Sequence, residues 1–314
     1  MSAHPRYRRP AIDPETLRAL STVSPWRGVV AVCLQWLIII AAAIVCEAYW
    51  HPLLYALTIA VIGARQHGLA VLIHEGAHHR LTPARRLNDW IGEALCAWPL
   101  LVTLHRYRGH HLQHHRWLHT QRDPDLQRKQ TPEWQFPQPP LRFLTRLIFY
   151  GFGLGILRTL HATQTMRETT PLPREMRLAR LVLYIGGAGA LTALGSWQLF
   201  LLYWVVPLLT WLQLILQVRS IAEHFAIPEN PEGFGPTRTT LPTLPDRLFI
   251  APQSVGYHLE HHAFPSVPAY NLARLHGVLM ASPDYRRHAH ITRGYLGVLR
   301  EATRVTSEAP GEAR

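Results

Sequence analysis

Histidine is grouped three times along this chain, as His74-Glu-Gly-Ala-His78-His79, His110-His111-Leu-Gln-His114-His115 and His258-Leu-Glu-His261-His262. Neutral imidazole is the commonest protein ligand for zinc, copper and iron. On a helix, His74 and His78 stand four apart and project from one face toward one ion. His79 is turned away by about 100° and is placed to support the site from outside. His111, His114 and His115 fan over a broad arc that can serve two ions, with His110 beside them, and His258, His261 and His262 repeat that arrangement. So many imidazoles exceed what one ion accepts, and the pattern points to a polynuclear metal site.

The first group has a rival reading. His74-Glu75-Gly76-Ala77-His78 also fits HExxH, in which two histidines hold zinc and the glutamate is the general base of a metalloprotease. Such a site needs one further protein ligand, which leaves two histidine groups without a role. The histidine-rich set also differs from carboxylate-rich di-iron bundles built on Glu-x-x-His. Glu75, Glu223 and Glu260 each adjoin a candidate ligand and are expected either to orient imidazoles through N–H bonds or to balance charge. Asp123 and Asp125 are expected to fix the loop beneath the second group, with a cation site as the alternative.

The elements that must position these residues are membrane-like. Of 314 residues 48% are hydrophobic and only 17% charged, and the apolar residues fall in long runs. Four spans are expected, at about 28–49, 52–73, 179–196 and 198–218, each near the roughly 20 residues a helix needs to cross the hydrocarbon core. The second span brings His74 and His78 out just past the far face, and His224 follows six residues after the fourth. The apolar stretch 90–104 is too short for a comfortable crossing and is read as re-entrant or interfacial. A full crossing there would also separate the first two histidine groups. Residues 141–160 read as an amphipathic interfacial helix or a helix packed on the cap, and 122–140 as a proline-rich loop.

The net charge of +12 comes from 32 basic residues, all arginine except Lys129. Five precede the first span, sixteen run from Arg80 to Arg180, and ten follow the fourth span. The short links 50–51 and 195–197 carry none. The positive-inside rule then puts both termini and every histidine group in the cytoplasm, and accounts for the charge without nucleic acid. Cys33, Cys46 and Cys96 lie in or beside apolar runs with no CxxC, so a thiolate site is not implied. No cleavable signal is expected, because the first apolar run begins near Gly28. The organisation expected is a cytoplasmic segment 1–27, a membrane-embedded domain 28–302, and a disordered tail 303–314.

Taken together, the spacings HxxxH, HxxHH and HxxHH resemble the membrane fatty acid desaturase family. The residues that carry the match are His74/His78, then His111/His114/His115 followed by Asp123-Pro124-Asp125, and the run from Gly256 to Pro268 around His258, His261 and His262. Arg219 to Glu223-His224 resembles the family's additional histidine region, and the likeness covers about 20–300. The resemblance implies an all-α integral membrane protein with four transmembrane helices and a cytoplasmic helical cap. That cap would carry a non-haem di-iron site. By that resemblance the iron ligands are His74, His78, His111, His114, His115, His224, His258, His261 and His262. His79, His110 and His119 match less closely and are read as additional ligands or supporting groups. Ser220 stands where some members have an asparagine that holds a water.

The activity implied is desaturation of an acyl chain on a lipid, acyl carrier or coenzyme A, with dioxygen as co-substrate and two electrons supplied. Hydroxylases and carotenoid oxygenases share the scaffold, and sub-ångström placement of the substrate decides between them. No fused electron-transfer module is visible, so a separate ferredoxin- or cytochrome-b5-like donor is expected to dock on the basic face. Arginines near the cap can pair with an anionic headgroup. The expected substrate cavity has apolar walls sealed from water.

Overall fold

The structure is a computed structural model that describes residues 7–164, 166 and 171–304. The expected tail beyond Arg304 lies outside the described residues. Helices dominate. Helix α1 (Pro14–Ser21) begins where the Asp13 carboxylate accepts the Thr16 N–H at 2.8 Å. Two long antiparallel helices follow, α2 (Arg27–Ala48) and α3 (Pro52–Ala77), joined by a turn of three residues. Pro52 supplies a preset first helical φ, and His51 Nδ1 accepts the Leu53 N–H. The pair packs closely because Gly68 has no Cβ. One placed there would lie 2.3 Å from Gln35 Oε1.

Among the described residues three helices are long and apolar enough to cross a membrane: α2, α3 and the helix Trp197–His224. Their apolar side chains sort by environment, with Leu34, Leu37, Ile40 and Ile44 of α2 left facing outward. The expected third span, 179–196, is a helix that starts earlier, at Arg174, and ends at Ala193 (α9). Arg174, Glu175, Arg177 and Arg180 in its first two turns keep it below that mark of length and composition. The expected fourth span is α10 (Trp197–His224), interrupted by a π-helical stretch at Leu201–Val205. His224 therefore sits on the last turn of α10, not six residues beyond a span.

Between α3 and α9 the chain turns repeatedly. After α4 (Arg85–Ile91), residues Gly92–Ala97 form a π-helical stretch and Trp98–Leu100 a 3-10 turn. Leu101 then reverses the chain at φ 61° into α5 (Leu104–Trp117). The stretch 90–104 thus doubles back, and Cys96, Ala97 and Trp98 pack in the same core as α2 and α3. The proline-rich region is not all loop: it holds α6 (Pro124–Arg128) and a 3-10 turn at Pro132–Trp134. The single helix expected over 141–160 is two, α7 (Pro140–Gly151) and α8 (Ile156–Gln164), broken at Gly153 with φ 76°. Phe143 of α7 is buried with Val218 and Ile221 of α10, while Leu141, Leu144 and Ile148 face outward.

The remainder forms a cap. Helices α11 (Leu244–Phe249), α12 (His258–Ala263), α13 (Ala269–Leu279), α14 (Pro283–His288) and α15 (Gly294–Thr303) pack around a small ribbon. In it β1 (Thr239–Leu241) runs parallel to β2 (Ile291–Arg293), pairing Thr240 with Thr292. An all-α reading misses this ribbon, because strands of three residues leave no alternation to detect. Helix α1 is part of the same layer: Leu20 shares a core with Leu272, Leu275 and Leu279.

Polar side chains inside α3 pin it to its neighbours. Gln66 donates to Trp204 O, His67 Nδ1 lies 2.8 Å from Ile250 O, and Arg65 donates to Leu248 O. That explains why Arg65-Gln66-His67 interrupts an apolar run: each side chain satisfies a carbonyl in a region with little water. Arg238 does the same for the end of α10. Fully buried, it donates to the carbonyls of Ile221, Ala222 and Ala226 and pairs with Glu301 at 2.9 Å. Arg238→Met should lower stability by about 3–5 kcal/mol, because acceptors and a carboxylate lose their partner. Thermal unfolding in detergent measures this, and an unchanged midpoint would remove Arg238 as the anchor of the His224 turn.

Candidate metal centre

Four chain segments deliver imidazoles to one place. His74 rides on the last turn of α3, and His78 is its C-cap residue. Helix α5 carries His111, His114 and His115, α10 ends on His224, and α12 carries His258, His261 and His262. The ring nitrogens of His74, His78, His111, His115 and His261 lie within 4.8 Å of one another, as do those of His114, His224 and His262. His258 Nε2 joins the second group, 2.9 Å from His224 Nε2. All nine histidines singled out from the sequence are therefore gathered into two adjoining sets. Neighbours on one helix serve different sets, His114 apart from His111 and His115, and His262 apart from His261. The sets touch where the rings of His115 and His262 stack, centroids 4.2 Å apart.

The contacts cannot be an ordinary hydrogen-bond network. His114 Nδ1 is 2.9 Å from Asp123 Oδ1, and His224 Nδ1 is 3.1 Å from the carbonyl of Pro236. A carboxylate and a carbonyl only accept, so both Nδ1 atoms carry the proton and both Nε2 atoms are bare lone pairs. Yet those two Nε2 atoms face each other at 3.1 Å. In the first set, His111 Nε2 approaches both His78 and His115, and His115 Nε2 also approaches His261, all at 2.9–3.0 Å. A ring nitrogen offers one in-plane position, for a proton or a lone pair, and cannot satisfy two partners. His74 Nε2 and His262 Nε2 are buried with no hydrogen-bond partner at all.

A cation resolves every one of these contacts. Metal–nitrogen bonds of about 2.1 Å put adjacent ligand nitrogens about 3 Å apart, the spacing seen here. Burial, reinforced by neighbouring imidazoles, pushes His111, His115, His258, His261 and His262 well below the ordinary imidazole value. His78, beside Arg80 as well, falls to about 3, again chiefly through burial. These six rings are neutral near pH 7 and able to donate lone pairs.

Carboxylates and arginines hold this array from outside. Asp123 caps α6, accepts the N–H groups of His119 and Asp125, and orients His114. Although burial pushes its carboxyl up, the bond from His114 and the backbone N–H groups hold it below the usual range. Asp125 engages His110 Nε2 at 2.8 Å, which keeps His110 out of the nitrogen clusters. His79, at φ 56°, has Nδ1 3.6 Å from Asp89 and also stands apart. The His119 ring is 6.5 Å from that of His224 and belongs to neither set.

The three glutamates differ. Glu223 Oε1 lies 3.4 Å from His258 Nδ1. Glu75 is 3.5 Å from His74 Nδ1 but is held mainly by the Ala269 N–H at 2.7 Å. Glu260, expected either to orient an imidazole ligand or to balance charge, binds His276, Tyr285 and Thr239, fastening α12 to α13, α14 and β1. Helix geometry explains the difference, since Glu260 points away from the face that carries His258 and His261.

Sequence reading missed several supports. Arg108, three residues before His111, donates to the carbonyls of Gly76 and Ala77 and pairs with Asp89, tying the His74–His78 turn to α5. Tyr107 stacks on His111 with centroids 5.2 Å apart. Arg219 binds Glu223 at 2.6 Å. Their helical spacing from ligands was the available signal. A cleft of about 1400 Å³ between α5, α7, α8 and α10 reaches His111 and Glu223. Its walls are largely apolar, as expected, with Arg142, Arg146, Arg158 and Arg219 set among residues such as Trp134, Phe149 and Leu157.

The sequence pattern of the Fatty acid desaturase family matches residues 48–294, a stretch that includes all nine histidines. This chain belongs to the fatty acid desaturase family. It is 29% identical to a dihydrorhizobitoxine desaturase of Bradyrhizobium elkanii over 90% of its own length and 84% of that protein's. It is 26% identical to a β-carotene ketolase of Paracoccus, covering 78% of this chain and 88% of the ketolase. An sn-1 acyl-lipid omega-3 desaturase (ferredoxin) of Synechocystis is 28% identical over 66% of this chain and 62% of its own length. In this desaturase-family protein the Asp123–His114 contact is the most direct support of a clustered imidazole. Asp123→Asn should weaken metal affinity by about 10–100-fold. Competition with a chelator measures that, and unchanged affinity would contradict an orienting role for Asp123.

Proposed function

We propose that the protein is a non-haem di-iron enzyme that uses dioxygen and two electrons to insert a double bond into an acyl chain. The chain would be borne by a lipid, an acyl carrier or coenzyme A. The observation that carries the reading is the meeting of bare Nε2 lone pairs in two adjoining imidazole sets. In this reading His74, His78, His111, His115 and His261 hold one iron, and His114, His224, His258 and His262 the other. When bound, the irons supply the dioxygen and one-electron chemistry that attack on an unactivated C–H bond requires.

The protein's own residues do the rest. Asp123 and the Pro236 carbonyl keep the proton on Nδ1 of His114 and His224, so that Nε2 stays free to bind. Tyr107 covers the His111 ring where the cleft meets the site, and limits how near a substrate methylene comes. Burial of the histidines excludes water from the reacting region. We read α9 as a fourth crossing, which leaves both termini and the histidines on the arginine-rich, cytoplasmic side. Electrons come from a separate donor, as the name of the ferredoxin-linked relative suggests for that protein. A second reading, an oxygenase that leaves oxygen in its product, draws support from the similarity to β-carotene ketolases.

Elemental analysis of detergent-purified protein tests the metal class. Two irons per chain are expected, with His261→Ala losing iron while still inserting into membranes. One zinc that survives His261→Ala would overturn the di-iron reading and return HExxH to consideration. With iron present, product analysis separates the two outcomes: a new double bond supports desaturation, and a hydroxyl or keto group supports the oxygenase.

A further inference from the structure

The end of α11 has the wrong neighbours for a helix of a water-bathed cap. The last carbonyls of a helix have no partner within it and are ordinarily taken by water. Here side chains of the two long helices take four in succession. Arg65 of α3 donates to the carbonyls of Arg247 and Leu248, at 3.3 and 2.8 Å. The indole N–H of Trp211 on α10 donates to the Phe249 carbonyl at 2.9 Å, and His67 Nδ1 of α3 lies 2.8 Å from the Ile250 carbonyl.

These donors sit well inside the lengths of α3 and α10. A helix needs roughly 20 residues to cross the hydrocarbon core. Counted from Pro52, that length ends near Val71, so Arg65 and His67 stand about six and four residues short of it. Counted from Trp197, it ends near Leu216, and Trp211 stands about five residues short. At about 1.5 Å per residue, both counts put the four carbonyls roughly 6–9 Å inside the core. The counts agree because the helices touch there: a Cβ on Gly63 would lie 2.7 Å from that of Trp211.

The chain enters and leaves this level at one place. The Thr240 N–H donates to the Gly256 carbonyl at 2.7 Å, closing a neck around residues 241–255. The neck requires glycine, because a Cβ at Gly256 would lie 2.2 Å from the Thr240 carbonyl oxygen. His258 follows directly after Tyr257, so the loop leads straight into α12. Leu244 and Leu248, four apart on one face of α11, are 70% and 50% exposed. Arg247 beside them is exposed, and its long stem lets the guanidinium reach toward headgroups. Nearer the start of α3, Leu53 and Leu57 face outward, whereas Ile62, Gly63 and Ala64 are enclosed by neighbours.

We propose that residues 241–255 form a re-entrant loop, which dips from the cap into the hydrocarbon region and returns, with Leu244 and Leu248 against lipid chains. The inference rests on the reading of α3 and α10 as crossing helices. Backbone that leaves a regular helix at such a depth must find its partners in protein. Arg65, His67 and Trp211 supply them, which accounts for charged and polar groups so far inside an apolar helix. The bilayer is then a direct contact of the cap, and it bears on the segment that carries His258, His261 and His262.

Fluorescence quenching on the full-length protein in phosphatidylcholine nanodiscs tests this. A dye is attached to one introduced cysteine at a time, in protein carrying Cys33→Ser, since Cys33 is exposed whereas Cys46 and Cys96 are buried. The positions are Leu248→Cys on α11, Leu57→Cys on the outward face of α3 and Glu229→Cys on an exposed stretch of the cap. One quencher is a phosphatidylcholine with a nitroxide on its acyl chain, and the other is iodide in the buffer.

The expected result is that the lipid nitroxide quenches the dye at Leu248→Cys as it does at Leu57→Cys. Both should lose most of the iodide quenching seen at Glu229→Cys. Iodide quenching at Leu248→Cys equal to that at Glu229→Cys, with Leu57→Cys still quenched by lipid, would overturn the loop and leave α3 a crossing helix. Quenching at Leu248→Cys by neither agent would place that side chain under protein and overturn the lipid contact. Iodide quenching at Leu57→Cys would overturn the crossing of α3, and the loop with it.

Discussion

The Nε2 lone pairs of His114 and His224 face each other at 3.1 Å and repel, and further close ring-nitrogen contacts run on to α3 and α12. Protons cannot relieve the repulsion. Burial disfavours charging the rings, and hydrogen-bond acceptors outside the array already hold the Nδ1 protons of His114 and His224. A cation of the right size satisfies the facing Nε2 atoms. A metal bound here would relieve that strain, and its affinity would then be part of the free energy that holds α12 against α3, α5 and α10.

The surrounding shell follows from that constraint. Positive charge at low dielectric needs compensation close by, and Asp123 and Glu223 supply it directly behind ligating rings. Arg108, which binds the carbonyls at the end of α3 and Asp89 of α4, joins α5 to both, while Arg219 fixes Glu223 within α10. Glu260 does comparable work one layer further out, where its bonds to His276, Tyr285 and Thr239 set the angle of α12. Glu223 and Arg219 support the array from the cleft wall that also carries His111, while Asp123 holds His114 from outside the cleft.

Membrane and site are linked by helix length. Helix α3 is both an apolar helix long enough to cross and the carrier of His74, and α10 is both an apolar helix and the carrier of His224. His74 and His224 stand on the last turns of these helices, so the histidine sets lie at their ends. Arginines along the cleft that reaches His111 set charge among its apolar walls.

Much of this was legible in the sequence, because local spacing carries it. The periodicity of a helix puts residues four apart on one face, and so HxxxH and HxxHH announce convergent ligands before any fold is known. Long apolar runs likewise announce α2, α3 and α10. What spacing cannot encode is decided by contacts between residues distant in the chain. The sharing of nine histidines between two sets depends on how α5 and α12 are rotated against each other. The turning of Glu260 away from the site, the break at Gly153 and the two-strand ribbon have no local pattern strong enough to read. The mixed apolar and basic lining of the cleft arises only when α5, α7, α8 and α10 come together. Local residue order determined which atoms can bind metal. Tertiary packing decided which of them meet, because side-chain direction at a helix end is set by the neighbours it packs against.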